Sequence, residues 1–213
     1  MMGSPSYGDD GPEICWNGAK SWESGWYSAD STTLVPSEVG ASFELIGVAD
    51  WVEDDYTSGQ HKVVVEIPDS SQVQNYYVIY NRAKGPNNGV NFAKDQVTIT
   101  LGSPRSTSWH QAMLGTPDLA ANEFAVFRKP NYNGGDKDLV VKVCAIDTGS
   151  DGGLPDVANV LVYTDDGPGY NNGEMCPGEV GCLSDAQCGK QILLLSVNAL
   201  PLMIDVIPQH INL

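Results

Sequence analysis

The chain has 213 residues, of which 41% are hydrophobic and 18% charged, so it can bury a real core, and its composition argues against wholesale disorder. Its formal net charge of −16 repels phosphate backbones and anionic membrane surfaces, which excludes nucleic acid as an expected partner. The apolar runs at 192–195 and 200–207 are too short to span a bilayer, and no basic region followed by an apolar run, the pattern of a signal peptide, is present at the start.

Residues 12–26 are predicted to form the first helix. Pro12 suits the first helical position, and Gly25 suits a left-handed residue that ends the helix. Cys15, Ala19, Trp22 and Trp26 recur at helical spacing, so they should share one face and pack into the core.

After about residue 40 the pattern changes to short strands separated by turns. The strand segments are rich in β-branched and aromatic residues, and they fall at 41–51, 61–69, 75–85, 95–102, 123–130, 138–147 and 157–164. The separators are turn sequences rich in Gly, Asn, Asp and Pro, and none is long enough for a crossover helix. The sequence therefore predicts a mainly β fold, an antiparallel β-sandwich-like domain over residues 41–168.

Residues 169–213 form a predicted cysteine-containing loop and C-terminal tail. Cys176, Cys182 and Cys188 recur every six residues, whereas paired zinc ligands are usually separated by two to four residues. Disulfide bonds explain the spacing better than zinc. Cys144 ends a strand on the face of Val140 and Lys142.

Few residues outside the cysteines suggest chemistry. His61, His110 and His210 are scattered, and no His-Glu-x-x-His, nucleophile elbow or phosphate loop is present. Two acidic loops offer calcium binding as an alternative to plain turn chemistry, although neither has the spacing of an EF-hand. Their carboxylates are Asp147, Asp151 and Asp156 in the first loop and Asp165, Asp166 and Glu174 in the second.

The first 27 residues, MMGSPSYGDDGPEICWNGAKSWESGWY, resemble the gametolysin family of zinc metalloendopeptidases, a branch of the metzincins. Met2, Gly3 and Tyr7 match a Met-Gly-x-Ser segment. A second group matches the family's Cys-Phe-Asn-x-Ala-Lys-x-Trp-x-x-Gly-Trp-Tyr stretch, with Trp16 in place of Phe: Cys15, Asn17, Ala19, Lys20, Trp22, Gly25, Trp26 and Tyr27. Residues 77–90, YVIYNRAKGPNNGV, are similar to a later family stretch.

The resemblance implies that Met2 and Gly3 form the Met-turn, the structural floor of a zinc site. It implies further that residues 1–40 are the remnant of a catalytic domain, with the helix as its last element. In the complete family protein, three histidines would hold zinc and a glutamate would act as general base on a protein or glycoprotein substrate. The ligand motif lies upstream of the Met-turn in the family, so we expect this chain to hold no zinc, and no catalytic residue is assigned.

The resemblance also implies an extracellular or cell-wall location. There we expect two disulfides drawn from Cys144, Cys176, Cys182 and Cys188, with the pairing left open and Cys15 left over. If the helix has lost the cover of a catalytic domain, its apolar face should be partly uncovered. The alternative hypothesis is a non-catalytic extracellular β-sandwich module that binds glycan or protein.

Overall fold

The computed structural model describes residues 17–51, 61–103, 108–116, 125–148, 155–166 and Cys176. These residues form a mainly β fold, in which one short α-helix, α1, lies at Gly18–Ser24. Single turns of 3-10 helix lie at Ser28–Asp30, Gly85–Asn87 and Tyr132–Gly134.

Two five-stranded sheets account for the strands. Sheet A has the order β1-β4-β5-β6-β7, and its strands are Ser31–Thr33 (β1), Val64–Ile67 (β4), Asn75–Asn81 (β5), Gln96–Gly102 (β6) and Trp109–Leu114 (β7). Sheet B has the order β3-β2-β10-β9-β8, and its strands are Ala41–Ile46 (β2), His61–Lys62 (β3), Ala125–Lys129 (β8), Asp138–Asp147 (β9) and Val157–Asp165 (β10).

The main core lies between the two sheets. Strands of sheet A contribute residues such as Val78 and Ile99, strands of sheet B contribute residues such as Val141 and Val160, and all four are inaccessible to solvent. The rings of Tyr76 on β5 and Phe127 on β8 meet across the interface with centroids 5.8 Å apart. This packing is the sandwich that the sequence predicts.

The sheets are mixed rather than purely antiparallel. At one side of each sheet a short strand pairs in parallel, β1 with β4 and β3 with β2. The remaining pairings are antiparallel. Neither β1 nor β7 was predicted, since β1 has only three residues and β7 reads WHQAML, a weak strand pattern.

The helix begins later than predicted. Asn17 has extended backbone angles (φ −69°, ψ 166°) and caps α1, so the helix starts at Gly18. Gly25 ends it with φ 70°, as predicted. Trp26 follows the helix and is 52% exposed, so its expected place on the packed face is wrong.

The outward face of sheet A carries a second, smaller core. It includes Ala19 and Tyr27 from the segment around α1, together with Tyr77 and Ile79 of β5. The expectation of an uncovered helix face is therefore wrong for Ala19, which is 7% exposed and covered by the sheet. In the described residues, α1 and β1 both pack with strands of the predicted 41–168 domain.

The sandwich has two ends, the Arg82 end and the turn end. The Arg82 end holds the C-terminal ends of β2 and β5 and the start of β10. The turn end lies opposite, and three turns meet there, at residues 34–40, 68–74 and 130–137. Most of the predicted 169–213 loop and tail, all but Cys176, lies outside the described part of the chain.

Candidate functional site

The start of α1 is fastened to sheet A through Asn17. The Asn17 side-chain oxygen accepts a hydrogen bond from the Lys20 backbone N–H at 3.1 Å, and its Nδ2 donates to Ser108 Oγ at 3.1 Å. Ser108 immediately precedes β7. One side chain therefore caps the helix and ties it to the edge strand of the sheet.

The helix lies against the sheet with almost no space between them. A Cβ added at Gly18 would lie 3.0 Å from Tyr77 Cβ and 3.1 Å from Ile79 Cγ2. One added at Gly102 would lie 2.8 Å from Ala19 Cβ, whose own backbone N–H donates to Thr100 Oγ1 at 3.3 Å. Small residues are required at this contact because larger ones would lift the helix away.

Aromatic side chains complete the seat. The Trp22 ring lies 6.0 Å from Tyr77, and Tyr27 meets Trp51 edge-to-face at 5.0 Å. Trp51 Nε1 donates to Asp30 at 2.8 Å, which fixes the chain just after the helix. These contacts are typical of aromatic packing that also satisfies its polar atoms.

Most of the described residues of the gametolysin-like stretch are therefore brought together. Asn17, Ala19, Trp22 and Tyr27 each take part in placing α1 on sheet A, while Gly25 ends the helix. Lys20 instead pairs with Glu23 at 2.6 Å on the surface. Met2, Gly3, Tyr7 and Cys15 lie outside the described residues.

The second family-like stretch, residues 77–90, contributes a cluster of charges at the Arg82 end. Arg82 Nε contacts Asp156 Oδ2 at 2.5 Å, and Arg82 Nη1 contacts Asp95 Oδ1 at 2.6 Å. Lys84 Nζ lies 2.5 Å from Asp50 Oδ1. Since Asp156 precedes β10 and Arg82 follows β5, the cluster joins sheet A to sheet B.

The backbone is shaped around this cluster. A Cβ on Gly47 would lie 2.6 Å from Arg82 Cβ, so only glycine admits the arginine at this position. Burial alone would raise the pKa of Asp95, but hydrogen bonds from the Ala83 N–H and the Arg82 guanidinium outweigh it and lower that pKa. Each of the three carboxylates, Asp50, Asp95 and Asp156, is paired with Arg82 or Lys84, so the cluster serves to hold the two sheets together.

Three of the six carboxylates considered for calcium form ion pairs with basic side chains. Asp156 pairs with Arg82. Asp165 is inaccessible to solvent, and its two carboxylate oxygens accept hydrogen bonds from Nη1 and Nη2 of Arg128, with Nη2 and Oδ2 2.8 Å apart. Asp166 is 3.3 Å from Lys137, Asp147 is exposed, and Asp151 and Glu174 are not among the described residues. In the described ranges no three His, Cys, Asp or Glu side chains form a group that would hold a metal ion.

The histidines do not converge either. His61 Nε2 on β3 lies 3.1 Å from Glu44 on β2, in sheet B. His110 on β7, in sheet A, faces the Phe92 ring at 4.9 Å. His210 falls in the undescribed tail. These residues do not fit a three-histidine zinc site.

Within the described part of the chain a disulfide joins Cys144, near the end of β9, to Cys176, with their Cα atoms 5.3 Å apart. It packs with Leu161 on the outward face of sheet B. The prediction that both cysteines belong to bridges is confirmed. Cys15, Cys182 and Cys188 lie beyond the described residues, so the second bridge stays a prediction.

The sequence signals missed two groups of residues. Arg128 directly follows the apolar run FAVF in a predicted strand, and a cation at such a position is a usable signal of a buried carboxylate partner. The exposed valines of the turn end, Val35, Val39 and Val73, carried no motif at all.

Comparison with models of protein families, with curated proteins and with solved structures finds no match for the chain. Among the described residues, no helix is both long and apolar enough to span a membrane. The site must therefore be interpreted from its own geometry.

Proposed function

We propose that the chain is the part of a gametolysin-like zinc metalloendopeptidase that follows the zinc-binding helix, and that it does not itself cleave peptides. The observation that carries the proposal is the close packing of α1 against sheet A. Four residues of the family-like stretch, Asn17, Ala19, Trp22 and Tyr27, fix this helix on sheet A, which gives the residues that carry the resemblance a structural role.

In this proposal the sandwich supports the segment that carries the Met-turn. Met2, the Met-turn candidate, shortly precedes the cap Asn17, which is bonded to both α1 and Ser108. Because the sheet holds Asn17 in place, it would restrict the movement of the Met-turn and of the zinc site above it. Precise positioning of zinc ligands depends on such support from surrounding structure.

The zinc part of the proposal is tested on the purified chain. His-Glu-x-x-His is absent from the 213 residues, and the described histidines do not converge. We therefore expect less than stoichiometric zinc after dialysis and no cleavage of casein or gelatin. Tightly held stoichiometric zinc with chelator-sensitive proteolysis would overturn it.

The family part is tested separately, by determining the coding sequence upstream of Met1. An in-frame His-Glu-x-x-His supports the proposal. A secretory signal directly upstream, without that motif, counts against it and favours the second candidate.

An extracellular or cell-wall location is part of the same proposal. The buried Cys144–Cys176 disulfide supports it, because such bonds persist in oxidising compartments. Immunodetection in the culture medium and wall fraction of the source organism tests it, and confinement to the cytosol would contradict it.

The second candidate function is a non-catalytic extracellular binding module for glycan or protein. The observation that favours its protein-binding form is the exposure of three valines on the turn end: Val35 is 70% exposed, Val39 78% and Val73 90%. Solvent-exposed apolar residues on rigid turns are a common feature of protein-binding surfaces.

A further inference from the structure

The turn end is a cross-tied surface. Residues 34–40, 68–74 and 130–137 form this surface, the three-turn surface. The third turn connects the other two: Asn133 Oδ1 accepts from the Ser70 N–H at 2.7 Å, and Lys137 pairs with Glu38. Tyr132, 5% exposed, donates its hydroxyl to the Pro68 carbonyl.

Further bonds within and beneath the turns fix their shape. Asp69, 1% exposed, accepts from the Ser71 N–H at 3.0 Å and from Gln72 Nε2 at 3.0 Å. Thr164 of β10 donates its N–H to the Ser37 carbonyl at 3.0 Å. Surfaces held in place before binding lose less conformational entropy when a partner docks.

The apolar residues of this surface are the most exposed large ones in the described part of the chain. Val35, Val39 and Val73 are 70–90% exposed, whereas Trp26, Phe92, Met113 and Val126 are 44–53% exposed and lie elsewhere. Single exposed hydrophobic residues need no explanation. Val35, Val39 and Val73 are a different case, because the turns that carry them are tied to a common third turn at the same end of the sandwich.

The charges around these valines select the partner. Glu38, Asp136 and Asp166 are exposed carboxylates, while Lys137 is half-buried between Glu38 and Asp166, and Lys129 at the end of β8 is half-buried too. The chain as a whole carries −16. An acidic rim around apolar tips attracts basic protein surfaces and repels anionic lipid.

We infer that the three-turn surface is a docking site for a partner protein whose contact segment carries apolar side chains flanked by Lys or Arg. The inference deepens the binding-module candidate and rests on it, while it is independent of the peptidase-family proposal. Failure of the experiment below leaves the zinc and upstream-sequence tests untouched, so the two can fail separately.

The test uses two displayed peptide libraries against the immobilised chain. Both fix the same apolar positions, and their variable positions are Lys and Arg in one and Asp and Glu in the other. We expect binders from the basic library alone. Their affinity should fall with added salt and drop about tenfold or more for the double variant Val39→Ser, Val73→Ser.

The matched control is Val126→Ser, which removes an exposed valine from β8, away from the three turns, and should leave the affinity unchanged. The inference is overturned if the basic library yields no binder, if the acidic library performs equally well, or if binding survives the double variant. It is also overturned if the same variant abolishes binding to phosphatidylserine vesicles or dimerisation of the chain in place of peptide binding.

Discussion

Two arginines lie at opposite ends of the sandwich: Arg82 joins the two sheets, and Arg128 joins three strands of sheet B. Arg82 follows β5 of sheet A and binds Asp156 before β10 of sheet B. Arg128 on β8 binds Asp165 at the end of β10 and Asp138 at the start of β9. A guanidinium suits this position because its fixed fork can serve two carboxylates at once.

Replacement of Arg82 by Met should strongly destabilise the fold. Asp156 is 3% exposed at its side chain, so the variant leaves a buried carboxylate without its main partner. We expect the free energy of unfolding at pH 7 to fall by about 3 kcal/mol, near the low end for a broken buried pair since Arg82 is partly exposed. Urea denaturation measures it, with Lys94→Met as the exposed-lysine control. A change below that of the control would refute the assignment.

The Arg82 cluster also predicts a pH dependence. Folding lowers the pKa of Asp95 below 3.8, with the Ala83 N–H and Arg82 outweighing desolvation. A carboxyl of this kind stabilises the fold above its unfolded pKa, and the contribution disappears as the pH falls through the lowered folded pKa. The stability difference between the wild type and Arg82→Met should therefore be largest near neutral pH and shrink below about pH 4. A difference independent of pH would contradict this.

At the scale of elements, local pattern predicted most strands well. β9, DLVVKVCAID, has the predicted bounds, because a segment with three valines and one isoleucine lies between two turns. The predicted start of the helix was wrong because it rested on Pro12 as the first helical residue. The cap is instead Asn17, whose side chain is hydrogen-bonded to Lys20 and Ser108. A contact with a residue 91 positions away cannot be inferred from local sequence.

The tight seat of α1 can be tested by substitution of Gly18. Gly18→Val should lift the helix from Tyr77 and Ile79 and reduce stability by about 1–3 kcal/mol. Gly115→Val is the matched control, since the nearest atom to an added Cβ there is 3.7 Å away. Amide exchange of residues 21–25 should accelerate in the first variant relative to β4 and β9. Equal exchange in both variants would show that the helix is not held by this contact.

At the scale of the whole molecule, the class of fold was predictable and its mixed sheets were not. Seven short strand segments separated by turns indicate a sandwich or a barrel, and such segments can be recognised from the sequence. The parallel edge pairings of β1 with β4 and β3 with β2 depend on segments of three and two residues. Such short segments carry too little pattern to declare a strand. The ion pairs of Arg82 and Arg128 likewise join residues that are distant in sequence, so the sequence showed only isolated Arg and Asp positions.

The cysteines give the last prediction. Cys144 and Cys176 close a loop with a sequence separation of 32. By loop-closure entropy this bridge should stabilise the fold by roughly 3–4 kcal/mol. If two bridges form among the four candidates, the observed pair leaves Cys182 to bond Cys188, with Cys15 as the thiol. Alkylation of the unreduced protein followed by peptide mapping should then label Cys15 alone. The double variant Cys144→Ala, Cys176→Ala should lower the melting temperature, whereas Cys15→Ala should not. Labelling of Cys182 and Cys188 would remove the second bridge, and labelling of Cys144 and Cys176 would contradict the first.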